Sequence, residues 1–517
     1  MTLLDHGTAP PCPAPPPPVP RAARFRLATR LRTLARRPGT LLSVALATGA
    51  VLRLVHLDAI GLNSDEAVYA AQAASLTDNP HFTALFPVVR AHPLLVQVLM
   101  SPFYVHGVPD TAGRYVTALF GVGTLVLTYA AGRALYHPWV GALGALFLAV
   151  MPYHVVVGRQ IILDGPMAFF TTAALLLVAV AARRHDGRWL LAAGALLGLA
   201  ALCKETAVIL LGSCFAFLAL TNRATRPLRH PLVGAGLALG LTLAYPLLTS
   251  LAGGGRGGVS YLLWQLARAP NHTPGFYVTS VGAAIGPLTL ALALAGLLAF
   301  RHHLGWQEVL LLSWSAVPFT YFEIWPTKGF TYLTPLAPVV ALLAAAAAVR
   351  FAWTPGRRRL AALLVAGICV VGMLVPAVLG IVRPTTSGLA GTGGTPGGRE
   401  VGDWVARHTP VGAQLVTIGP SMANLVQFYG GRRAAGLSVS PDPLHRNPSY
   451  SPIRNADLAL RNGTYQYIVW DTYSAQRSPH FSARAMELVQ RFHGVPVEVQ
   501  RDPVTGRRLV VVYQVAP

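Results

Sequence analysis

The sequence predicts a polytopic α-helical membrane protein that ends in a small α/β domain. Of its 517 residues, 53% are hydrophobic and only 12% charged, and the mean hydropathy is +0.50. A soluble globular domain carries about 25% charged residues. Apolar runs of membrane-spanning length continue to about residue 383, after which short strand and helix patterns alternate.

The net charge of +22 does not point to nucleic acid, because the arginines separate apolar runs instead of lining one basic face. No nucleic-acid partner is expected, and the surroundings are membrane lipids. The four cysteines (Cys12, Cys203, Cys214, Cys369) lie in the N-terminal tail or in apolar segments, so the C-terminal domain needs no disulfide.

Residues 1–37 read as a disordered, Pro-rich and basic cytoplasmic tail. The proline run Pro13 to Pro20 cannot build a helix, and the seven arginines from Arg21 to Arg37 suit anionic head groups. Residues 38–383 read as the membrane domain. About eleven spans are expected, within a range of ten to thirteen: near 38–57, 112–133, 138–157, 165–182, 188–203, 206–222, 231–251, 278–300, 306–322, 331–349 and 360–383. Segment 93–107 is apolar but short, and reads as an interfacial helix.

With the N-terminus inside, alternate loops carry Arg133, Arg183/Arg184/Arg188, Arg223/Arg226/Arg229, Arg301 and Arg350/Arg357/Arg358/Arg359, all cytoplasmic under the positive-inside rule. This multi-pass arrangement in the cell membrane leaves everything after residue 384 outside. The rare charges Asp58, Asp65, Glu66, Asp78, Asp110, Asp164, Glu205, Glu323, Lys204 and Lys328 then all map to the external face. Lys204 and Lys328 are the only lysines among 41 basic residues. A compact ammonium suits phosphate, and arginine is no free substitute for it. This one-sidedness predicts an external reaction site at the membrane surface.

Four groups of residues mark that face. The first loop opens with Leu62-Asn63-Ser64-Asp65-Glu66 and continues to Arg90-Ala91-His92-Pro93. Next come Arg159, Asp164, Pro166, Phe169 and Phe170, spaced Arg-x-x-x-x-Asp-x-Pro-x-x-Phe-Phe. Lys204-Glu205 follow, then Glu323 to Lys328 ahead of Tyr332-Leu333-Thr334-Pro335. Over roughly residues 40–350 this ordered set resembles the glycosyltransferase family 39 and protein mannosyltransferase group, which includes the aminoarabinose transferases of lipid A and shares the GT-C membrane fold.

The resemblance implies an enzyme that transfers a sugar from a polyprenyl-phosphate carrier to an acceptor outside the cytoplasm: a protein hydroxyl, an envelope glycan or a lipid. Such a reaction needs a carboxylate to take the acceptor's proton and cations to stabilise the departing phosphate. Asp65 is the expected base. Glu66 orients it or binds acceptor, and Asp164 positions the donor sugar or serves as a helix N-terminal charge. Arg159 and Lys328 are the expected phosphate ligands, with Tyr332 in reach of the lipid phosphate. Lys204 is a further ligand or the structural partner of Glu205. His92 and Glu323 position acceptor or donor, or in the case of His92 cap a helix. No metal-ligand spacing is present, although several carboxylates are able to hold Mg²⁺ or Mn²⁺. A transporter or flippase of lipid-linked sugars is the alternative, but it calls for inverted repeats and midplane charges that the sequence does not display.

Residues 384–398, rich in glycine, read as a flexible linker. In the domain 399–517, strands are expected at 414–418, 465–470 and 508–513, and helices at 402–408, 422–429 and 483–492. This domain is read as binding acceptor or the rest of a complex. Its Trp470-Asp471-Thr472-Tyr473 departs at several positions from the Trp-Trp-Asp-Tyr-Gly element of oligosaccharyltransferases.

Overall fold

The computed structural model describes residues 37–88, 91–221, 228–251, 259–354, 356–382 and 394–516. The basic tail, Arg90, Arg223, Arg226 and most of the Gly-rich linker lie outside them.

Helix α1 (Pro38–Leu54) leads to α2 (Ser64–Ser75). Then follow α3 (Ala112–Leu135), α4 (Pro138–Val150), α5 (Asp164–Arg184), α6 (Arg188–Cys203), α7 (Leu210–Leu220) and α8 (Arg229–Leu251). The apolar half ends with α9 (Pro287–Ala299), α10 (Trp306–Ile324), α11 (Ala337–Trp353) and α12 (Arg357–Val382). A helix thus stands wherever a span is expected, though not all of these helices have full membrane-spanning length. Among the described residues five helices are long and apolar enough to cross a membrane, or six if the pair Tyr277–Ile285 and Pro287–Ala299, bent by 97°, is one span. Several other apolar helices run only 10–17 residues. They stop at breaks the sequence supplies: Pro152 after α4, Lys204 after α6, and Gly286 (φ +102°) before Pro287. A helix of 16 residues reaches only about 24 Å.

Small residues let the helices approach closely. A Cβ at Gly194 of α6 would stand 2.0 Å from the carbonyl oxygen of Gly234 on α8. The apolar core of the bundle centres on α11, where Ala337 to Val349 are all buried. Segment 95–104 is helical, with Val96, Met100 and Tyr104 buried and Val98, Leu99 and Phe103 exposed.

In the C-terminal part α13 (Gly398–His408), α14 (Pro420–Gly430) and α15 (Pro479–Arg491) flank a five-stranded sheet of order β2-β1-β3-β5-β4. The strands are β1 (Gln414–Thr417), β2 (Arg433–Gly436), β3 (Tyr467–Asp471), β4 (Val495–Arg501) and β5 (Arg508–Gln514). β1 pairs in parallel with β2 and β3, whereas β5 is antiparallel to β3 and β4. Strand alternation divides the faces. Leu415, Tyr467, Val469, Val510 and Val512 pack with α13 and α14, while Val416, Ile468, Val511 and Tyr513 pack with α15.

Strands β2 and β4 escape sequence reading. β2 is Arg-Ala-Ala-Gly, without a β-branched residue, and β4 contains Pro496; both are edge strands, where such residues are tolerated. The sheet's first face shares one hydrophobic core with α2 and segment 82–104, through Ala67, Ala70, Phe82 and Met100. The last residues read as linker are docked as well. Thr395 N–H donates to Leu62 O (3.4 Å), and a Cβ on Gly394 would meet Gly61 O at 2.1 Å.

Candidate active site

The site begins at the N-terminus of α2. Asn63 is its N-cap: the side-chain oxygen accepts from the backbone N–H groups of Asp65 and Glu66, both at 2.9 Å. Glu66 closes a capping box by accepting from Asn63 N–H at 3.0 Å. Its carboxylate also accepts from Arg114 Nε (2.8 Å), Arg114 Nη2 (2.7 Å) and Ile161 N–H (2.9 Å). Glu66 is fully buried and its lone pairs are spent, so it ties the loop to α3 and does not reach the cavity. The expectation that it orients Asp65 or binds acceptor is corrected accordingly.

One residue earlier, Asp65 points the other way. Its carboxylate lines a cavity of about 460 Å³, and no described residue donates a hydrogen bond to it. Solvent reaches Asp65 through this cavity, yet protein surrounds it. Desolvation raises its pKa, opposed by the nearby His92 and Lys204 charges, while Asp164 and Glu66 push it further up.

The same cavity gathers His92, Asp164, Lys204, Lys328 and Tyr332. Asp164 opens α5, and both of its carboxylate oxygens lie 2.8 Å from Lys204 Nζ. Lys204 also sits 4.8 Å over the Tyr332 ring. The pairing of Lys204 with its neighbour Glu205 is therefore corrected: Glu205 takes His92 Nδ1 at 2.9 Å. On its other side His92 Nε2 lies 3.3 Å from the Tyr261 hydroxyl, to which Gln265 Nε2 donates at 2.7 Å.

Lys328 stands past the end of α10. Its ammonium donates to the freed carbonyls of Glu323 (2.5 Å) and Trp325 (3.4 Å), which leaves one of three donors for the cavity. Asn271 holds the backbone of Lys328 from both sides, at 2.8 and 2.9 Å.

Two further expectations fail on geometry. Arg159 donates to the carbonyls of Leu52, Val55 and His56, all within 3.0 Å, and so caps the end of α1 instead of lining the cavity. Glu323 accepts from Gly275 N–H at 2.6 Å and also stands outside the lining.

The cavity contains residues that sequence reading passed over. Arg268, braced by Gln265 at 3.2 Å and stacked 4.7 Å over Trp264, faces it from the helix Val259–Ala267 side. Tyr473 and Arg477 enter from the C-terminal part. Desolvation lowers the pKa of His272, which lines the same cavity, and the Arg477 and Lys328 charges lower it further. An arginine in an external loop, against the positive-inside bias, was the available signal for Arg268. Arg477 follows the Trp-Asp-Thr-Tyr stretch, whose Asp471 caps the helix Thr472–Arg477 that presents both residues.

A divalent metal does not fit. Among the described residues no three His, Cys, Asp or Glu side chains cluster to hold one, and Asp164 is already paired through both oxygens.

Residues 91–249 match the family profile of dolichyl-phosphate-mannose-protein mannosyltransferase. No curated protein sequence matches the chain. Among solved structures, ArnT from Cupriavidus metallidurans in the apo state superposes with a TM-score of 0.66 at 16% identity, covering 95% of this chain and 98% of that one. ArnT bound to undecaprenyl phosphate gives 0.67 at 17% identity, covering 91% and 97%. The Archaeoglobus fulgidus oligosaccharyltransferase tethered to an acceptor peptide gives 0.60 at 14% identity, covering 93% and 74%. These likenesses establish the GT-C membrane fold, and the profile match over residues 91–249 makes that stretch similar to the protein mannosyltransferases.

Proposed function

We propose that this protein transfers a sugar from a polyprenyl-phosphate-linked donor to an acceptor hydroxyl outside the cytoplasm, with Asp65 as general base. The observation that carries this reading is the contrast between Asp65 and Glu66. Both acids stand in one turn, but only Asp65 has a free carboxylate in the cavity. The acceptor hydroxyl attacks the anomeric carbon while Asp65 takes its proton. The bond from that carbon to the phosphate oxygen breaks, and the electron pair leaves with the carrier phosphate. Lys328, Arg268 and Arg477 face the charge that develops there. The Asp164–Lys204 pair and Tyr332 line the wall available to the sugar, and Glu205 and Tyr261 hold His92 in the same cavity.

Support for the donor class comes from the family profile and from the undecaprenyl phosphate and dolichol-phosphate bound in the solved ArnT and oligosaccharyltransferase structures. Neither favours a transporter. The proposed arrangement has residues 1–37 in the cytoplasm, 38–383 as the catalytic membrane domain of the cell membrane, and 399–517 outside, completing the cavity from above. Reporter fusions after residue 384 and near Arg223 should read external and cytoplasmic respectively. Purified protein given a labelled polyprenyl-phosphate sugar and an acceptor extract should release free polyprenyl phosphate. No release across envelope glycan, lipid and protein acceptors would overturn the reading.

A further inference from the structure

We propose that the end of the bundle remote from the catalytic cavity carries a binding site for the phosphate of an anionic phospholipid, formed by Arg133, Arg183 and Arg184. These arginines converge on a cavity of about 470 Å³ between the C-terminal ends of α3 and α5, together with Tyr129 and Val180. α5 has 21 residues, with Asp164 at its first position and the arginines at its last turn. The two sites therefore lie about 30 Å apart along one helix.

No lining residue is acidic, and among the described residues none of the three arginines enters an ion pair. Arg183 is held in place by donating to Ala134 O at 3.1 Å at the end of α3. Arg184 lies 5.4 Å over the Trp189 ring, and Arg133 is exposed. Guanidinium forks match phosphate oxygens in pairs, and three without a counter-charge at a helix-bundle end form an anion site.

The attached apolar surface identifies the occupant as a lipid. Tyr115, Leu119 and Val126 of α3 are 48%, 62% and 46% exposed. Their spacing of four and seven residues forms one stripe, and Arg133 continues it seven residues on. An acyl chain along this stripe brings its head group into the arginine cavity. A free anion would gain nothing from the stripe.

The test uses the full-length protein in detergent, with bound lipid read by native mass spectrometry. Phosphatidylglycerol should be retained, and phosphatidylcholine should not. Arg133→Gln with Arg184→Gln should weaken retention by roughly tenfold to a hundredfold, and Lys at both positions should recover part of it. Arg183 is left intact because it caps α3. Equal retention of the two lipids by the unaltered protein, or undiminished retention by the Gln variant, would overturn the proposal. Ready displacement by inorganic phosphate would also overturn it, by assigning a simple anion site. The comparison of lipids on the unaltered protein decides the matter even where the Gln variant fails to fold.

Discussion

Asp164 and Lys204, 40 residues apart, form a bidentate ion pair, with both carboxylate oxygens 2.8 Å from the ammonium and both side chains nearly inaccessible. Each neutralises the other inside the apolar bundle, so neither is a free charge. Removing one partner strands the other, which costs about 3–5 kcal/mol, whereas replacing both with apolar residues of similar size is often neutral. Asp164→Asn should therefore lower the melting temperature sharply, and Asp164→Leu with Lys204→Met should restore most of it. Additive losses in thermal unfolding of the double variant would show that the two are not coupled.

Asp65 and Glu66 should fail in different ways. Asp65→Asn should reduce turnover by about 10²–10⁴-fold with donor affinity kept, the scale of a lost general base. Glu66→Gln should chiefly destabilise, because it leaves the buried Arg114 without its counter-charge. Turnover and thermal unfolding measured on both variants separate the roles. Normal turnover in Asp65→Asn would remove it as the base.

The acid limb of the transfer rate follows from Asp65. Only the ionised form accepts a proton, and partial desolvation in the cavity raises its pKa from the ordinary value. Activity should thus be lost as the pH falls through that raised value. His92 opposes the rise, so His92→Gln should move the acid limb to higher pH. An unmoved limb would mean that another group sets it. The sign for stability is opposite to that of a salt-bridged acid: folding raises this pKa, so the charged form opposes folding above it. Asp65→Asn should unfold at a slightly higher temperature at neutral pH.

Phosphate affinity should divide the cations. Lys328→Ala, Arg268→Ala and Arg477→Ala should each weaken donor binding roughly tenfold to a hundredfold, the cost of one charge-assisted hydrogen bond. Lys328→Arg should recover part of the loss. Arg159→Ala should leave donor affinity unchanged and lower stability instead, since its bonds all go to carbonyls at the end of α1. Titration with a fluorescent lipid-linked donor distinguishes these outcomes.

The C-terminal part is latched to the loop that carries Asp65. Tyr429 accepts from Leu62 N–H at 2.8 Å and donates to Asp110 at 3.0 Å. Asn424 donates to Ser64 Oγ at 3.0 Å. Tyr429→Phe should speed amide exchange across 62–66 and slow turnover in parallel. Unchanged exchange there would mean that the latch does not position the base.

The membrane class, the places of the helices, the strands β1, β3 and β5, and the gathering of Asp65, Asp164, Lys204, Lys328 and Tyr332 at one end were legible in the sequence. Each rests on local chemistry: hydropathy runs, period-two alternation, and the cost of a charge within lipid. Partnership was not legible, because it is settled by which side chains meet across distant segments. Asp65 and Glu66 are adjacent and chemically near-identical, and only the approach of Arg114 and Ile161 N–H consumes one while leaving the other free. Likewise Lys204 prefers Asp164 to its own neighbour, since Glu205 is turned toward His92. The cavity wall formed by Arg477 exists only because the sheet shares a core with α2. Hydropathy and composition act along the chain, but a buried charge takes its role from whatever the fold places within about 3 Å of it.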